Sequence, residues 1–95
     1  MSDSERPQVS FIAFVFSLAS NVAVHFGDVP DPMTNQTRPP DLDAAAQLID
    51  VLTMLEEKTR GNLTAEERQL LDQILFEVRM RFVEAKKSHS PIILP

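Results

Sequence analysis

Between Val9 and Phe26 the chain reads VSFIAFVFSLASNVAVHF. Phe11, Phe14, Val15, Leu18, Val22 and Phe26 recur at the i, i+3, i+4, i+7 spacing of one broad helix face. Ile12, Phe16, Ala19 and Ala23 form a second apolar strip beside it. Regular alternation of apolar and polar residues is missing, and the run is long for a buried strand. The pattern therefore predicts a helix over 9–26, with Gly27 at the position where a left-handed residue ends a helix. Ala13, Ser17 and Asn21 lie four apart and share a face. A stripe of such small side chains is either the solvent side of the helix or a place where another helix approaches closely, with a polar site as a third reading.

Residues 28–40, DVPDPMTNQTRPP, carry four prolines and predict an extended linker within 27–40. In a polyproline-like state it reaches roughly 40 Å, and a helix of this size is only about 27 Å long. The linker can therefore cross the whole first helix, and the direction of the second is left open. The second helix is predicted over 41–60, with Asp41 at its cap and Asp43 at the positive end of its dipole. Ala45, Leu48, Leu52, Leu55 and Thr59 form one seam, which Ile49, Val51 and Met54 widen, so this helix should be covered on more than one side.

Gly61-Asn62-Leu63-Thr64 is the clearest local signal. Gly61 stops the second helix, Thr64 caps the third, and Glu67 three residues later completes a capping box. So short a gap makes the second and third helices an antiparallel αα-hairpin. The third helix is predicted over 65–87. Leu71, Ile74, Val78, Phe82 and Ala85 face one way; Leu70, Phe76, Met80 and Val83 fall off that face. Glu56–Arg60 and Glu77–Arg81 are i, i+4 pairs in the favourable orientation. Residues 1–8 are polar and predicted disordered, and 88–95 form an apolar tail bracketed by prolines. The fold class is all-α: one domain over 9–87, with the first helix packed on the hairpin.

Ninety-five residues make one small domain, which hides only about 60–65% of its unfolded surface. The net charge of −5 is concentrated in residues 28–50, where Asp28, Asp31, Asp41, Asp43 and Asp50 stand against Arg38. That acidity argues against binding a phosphate backbone. Cysteine is absent, so disulfides and thiolate metal sites are excluded. Residues 7–27 carry no formal charge, yet the preceding flank is acidic and no small-x-small cleavage pattern leads to a mature start, so a secretory signal is not expected.

The pieces H-F-G-D-V-P-D-P (25–32), E-K-T-R-G-N-L-T (57–64) and R-M-R-F-V-E (79–84) resemble a small bacterial family known as a domain of unknown function, family eighteen-forty-four. The likeness spans about 9–33 and 42–84. It implies a bacterial, mostly helical, cytosolic protein and brings no catalytic residues with it.

Two constellations suggest chemistry. His25, Asp28 and Asp31, spaced by threes, carry donors that a divalent metal accepts, but no two-histidine helix pattern supports a site, and His25 at a helix end is suited to meeting the dipole there. Ser17, His25 and Asp28 fail as a triad, because eight helical residues separate serine from histidine by about 12 Å. Arg79, Arg81, Lys86 and Lys87 make a basic helix end, read as a dipole complement paired with Glu77 and Glu84. The expectation is a non-catalytic helical interaction module without cofactor, self-associating (a dimer favoured) or binding a protein partner. Interface candidates are Phe11, Ala13, Phe14, Ser17, Leu18, Asn21 and Val22, with Gly61, Asn62, Thr64 and Glu67 building the hairpin turn. The cytoplasm is the expected location. The alternative is anchorage in the inner membrane through the first helix, against which stand Asn21, His25 and the missing basic flank; metal binding by His25, Asp28 and Asp31 is a remote second alternative.

Overall fold

The computed structural model describes residues 9–89 and contains three helices: α1 (Phe11–Phe26), α2 (Leu42–Thr59) and α3 (Ala65–His89). The sequence-based expectations for residues 1–8 and for 90–95 lie outside the described residues. All three helices pack against one another, so the fold is all-α as the periodicity requires.

Each helix starts where a side chain can satisfy its first free N–H groups. The Ser10 hydroxyl accepts from the Ala13 N–H at 3.0 Å, which sets the start of α1 two residues after Val9. Asp41 does the same for α2, accepting from the Ala44 N–H at 3.1 Å. Before α3, the Thr64 N–H donates to Glu67 Oε1 at 2.8 Å and the Glu67 N–H donates to Thr64 Oγ1 at 3.1 Å, a complete capping box. At the other end of α1, Gly27 takes φ +79°. The Asp28 N–H reaches the Ala23 carbonyl and the Gly27 N–H the Val24 carbonyl, both at 3.0 Å, closing a Schellman motif.

The segment between α1 and α2 is not an extended linker. It folds back on itself around Asp31, whose N–H donates to the Gln36 carbonyl at 2.9 Å and whose own carbonyl accepts from Asn35 at 2.6 Å. Asn35 supplies the left-handed residue of this turn at φ 56°. The Asp31 carboxylate accepts the Met33 N–H at 2.8 Å and pairs with Arg38. Asp31 is the one charged residue buried among the described residues. The prolines stiffen the two arms of the loop, while the aspartate brings those arms together. The loop therefore ends where it began: the Asp41 N–H donates to the His25 carbonyl at 2.7 Å.

This contact decides the topology that the proline count left open. α2 starts beside the end of α1 and runs antiparallel to it. α3, reversed again at Gly61 (φ +85°), runs parallel to α1. Phe26 and Phe82 meet at one end of the α1–α3 pair with ring centroids 6.4 Å apart, and Ile12 and Phe16 line a shallow groove with Leu70 and Gln73 at the other.

The core forms on the shared axis of the three helices. Val15, Val22 and Phe26 of α1 meet Ala45, Ile49 and Leu52 of α2 and Leu71, Ile74, Leu75, Val78 and Ala85 of α3. Val24 is also buried but lies outside this cluster, at the end of α1 to which the loop returns.

The two turn glycines differ in what surrounds them. A Cβ on Gly27 would stand 2.9 Å from the Arg38 carbonyl oxygen, whereas one on Gly61 would meet nothing within 4 Å. Both Gly→Ala variants carry the strain of positive φ, about 1–2 kcal/mol. Only Gly27→Ala must also push the loop off α1. Chemical denaturation should therefore rank Gly27→Ala as clearly the less stable of the two, and equal midpoints would mean that the loop does not rest on the end of α1.

Candidate functional site

The residues that sequence reasoning picked for interaction divide in the structure. Val22 is in the core, and Phe11 and Leu18 pack against it. Ala13, Ser17 and Asn21 lie on the outside of the bundle, where the Ser17 hydroxyl donates to the Phe14 carbonyl of its own helix at 2.7 Å. Among the described residues no other helix crosses this stripe closely. Phe14 is also exposed. Gly61, Asn62, Thr64 and Glu67 form the α2–α3 turn described above, with the Asn62 N–H on the Thr59 carbonyl at 2.9 Å.

His25, Asp28 and Asp31 do not converge. Among the described residues no three histidine, aspartate or glutamate side chains come together as a metal requires. Each aspartate is instead turned toward an arginine. Asp31 holds Arg38 within the loop. Asp28, the first residue past the Schellman turn, accepts Arg81 Nε at 2.8 Å and an Arg81 Nη at 2.7 Å, a two-pronged pair that ties the end of α1 to α3. The same guanidinium lies over the Phe26 ring at 5.2 Å. The hydrogen bonds from Arg81 hold the Asp28 carboxyl below its ordinary value; partial burial opposes them, and the arginine's positive charge adds a smaller lowering. Arg81 therefore does not form the expected helical pair with Glu77, which instead accepts from Gln73 at 3.2 Å. Glu56 and Arg60 do pair as expected, at 2.9 and 2.7 Å. Fifty-three residues separate Asp28 from Arg81; only the return of the loop brings them together, so no local pattern announces the contact.

Arg79 leaves the helix on the α2 side, where one Nη donates to Thr53 Oγ1 at 2.9 Å, and the Lys86 ammonium sits over the Phe82 ring at 5.6 Å. With α1 and α2 occupying the two inner flanks of α3, its outer face is left uncovered by the other described residues. That face carries Phe76, Met80 and Val83, 67%, 49% and 47% exposed. These are the residues whose spacing placed them off the core face, together with Leu70, which packs against the core after all. Met54 on α2 is also exposed, so the apolar surface of that helix is not fully covered.

The model of the family described as Domain of unknown function (DUF1844) matches residues 8–84. The chain belongs to this family. The matched span takes in α1, the folded loop, α2 and α3 as far as Glu84, so the DUF1844 match includes both the Asp28–Arg81 clasp and the outer face of α3. The chain matches no curated protein and no solved structure.

The clasp predicts a pH signature. Because the folded Asp28 value is depressed, its stabilisation is complete above the unfolded aspartate value of about 3.9 and is lost as pH falls through the folded value. At neutral pH a double-mutant cycle over Asp28→Ala and Arg81→Ala should give a coupling of about 0.5–1 kcal/mol, the scale of a solvent-accessible pair. Repeating the cycle at progressively lower pH should diminish the coupling as Asp28 is protonated; a cycle that shows no coupling even at neutral pH, with Arg81→Ala alone still destabilising, would assign the stabilisation to Arg81 on Phe26 instead.

Proposed function

We propose that this chain is a non-catalytic helical interaction module of the cytoplasm, whose outer apolar residues are covered by another protein, most simply a second copy in a two-fold dimer. The supporting observation is the stripe Phe76–Met80–Val83, three large apolar side chains in succession on a helix face that no other described residue covers. Scattered single apolar residues are ordinary on a protein surface, whereas a contiguous row on one helix marks a contact surface. No helix of the described residues is long and apolar enough to cross a membrane. Phe11, Val15, Leu18, Val22 and Phe26 of α1 are spent on the bundle core, and Phe14 and Phe16 stay exposed; with most of its apolar surface turned inward, α1 favours cover by protein over cover by lipid.

Sedimentation equilibrium of the full chain tests the reading. The expected mass lies above that of one chain and rises with concentration. Met80→Glu changes an exposed side chain, so it should keep the helical circular-dichroism signal and the melting temperature while lowering the mass. A chain that stays monomeric at every concentration overturns self-association.

A further inference from the structure

Written as a heptad, the outer face of α3 places Gln73, Met80 and Lys87 at a positions and Gln69, Phe76 and Val83 at d positions. The flanks of this seam differ in sign. On the α1 side stand Glu77 and Glu84; on the α2 side stand Arg79 and Lys86, with Asp72 two turns before Arg79. Neither Glu77 nor Glu84 is consumed by the bundle's ion pairs, and Arg79, which spends one Nη on Thr53, has further N–H groups in its fork.

The two ways of pairing α3 with itself are distinguished by those charges. An antiparallel pair sets like flank against like flank: Glu77 and Glu84 face the acidic flank of the second copy, and Arg79 and Lys86 its basic flank. A parallel pair sets each basic flank against an acidic one. The heptad rule then brings Arg79 of each copy to Glu84 of the other, so two-fold symmetry makes the contact twice. Asp72 is the exception, because in the parallel pair it meets Glu77 of the second copy. That repulsion confines the contact to the turns from Phe76 onward, where the apolar residues are.

We propose that two copies of the chain associate through parallel, in-register packing of α3 on α3, with Phe76, Met80 and Val83 in the seam and Arg79 of each copy paired with Glu84 of the other. This rests on the self-association reading above and goes further by fixing the face, the direction and the register.

The test is a set of charge variants of the full chain, with the dimer dissociation constant measured by sedimentation equilibrium. Glu84→Arg places two arginines opposite each other at both symmetry-related contacts and should weaken the dimer roughly tenfold. Adding Arg79→Glu to the same chain reverses both partners and should restore the parent constant. Asp72→Lys turns two repulsions into attractions and should tighten the dimer by a similar factor. The antiparallel pair gives the opposite signs, since Glu84 then faces acids and Asp72 faces Lys86. As a second readout, the chain has no cysteine, so Phe76→Cys and Val83→Cys introduce unique thiols. Each should oxidise to a covalent dimer only if identical residues face each other. Opposite signs in the charge series, or a dimer indifferent to all of these variants, overturn the proposal while leaving self-association standing. A monomeric parent overturns both.

Discussion

The contact between the Asp41 N–H and the His25 carbonyl is the constraint on which the remaining architecture depends. A connection over residues 27–41 with four prolines has reach enough to deliver α2 to either end of α1, and each delivery gives a different bundle. By returning to its own origin, the chain makes α2 antiparallel to α1, and the tight turn at Gly61 then makes α3 parallel to α1. Only in that arrangement do Phe26 and Phe82 meet and Asp28 lie beside Arg81. The buried Asp31 carboxylate enforces the return. It is costly to bury a charge without partners, and Arg38 and the Met33 N–H supply them only when the loop is folded.

The arrangement also explains which apolar residues are left over. Each helix of a three-helix layer has two neighbours, and α3 spends its inner arc on both. Leu71, Ile74 and Val78 point between them. Phe76 and Met80, roughly opposite on the helical wheel, have no neighbour to reach among the described residues. A bundle with helices this short has little interior, and three helices cannot enclose a fourth face. The excess apolar surface is thus a property of the topology and not of a single misplaced residue.

Much of this was legible from local chemistry. The capping box at Thr64 and Glu67, the left-handed Gly27 and Gly61 and the three helical periodicities are decided within a few residues of one another, and the chain displays them openly. The excess apolar row on α3 was likewise visible as positions off the core face. The loop was not. Its prolines advertise stiffness, but its course depends on Asp31 capturing Arg38 of the same loop and nearby backbone groups, which has no periodic signature. For the same reason the spacing of His25, Asp28 and Asp31 suggests a cluster that the fold disperses, and Glu77–Arg81 has the spacing of a pair that Asp28, from beyond the end of α1, replaces. The small-residue stripe of α1 had two readings because the pattern is the same whether water or a helix lies against it.

The closure of the loop at its base has a consequence for how its tip can vary. The two ends of the segment are fixed to each other by the His25–Asp41 and Gly27–Arg38 approaches, so the helices take their positions from the base alone. The turn from Pro32 to Thr37 is a side branch, exposed along its length. Lengthening a flexible loop costs only about 0.6 kcal/mol per doubling, and the lengthening is not transmitted to the bundle while Asp31 still holds Arg38, the Met33 N–H and the Gln36 carbonyl. The tip is thus a place where the chain can accept foreign residues without moving a helix, provided the bonds of Met33 and Gln36 to Asp31 are kept.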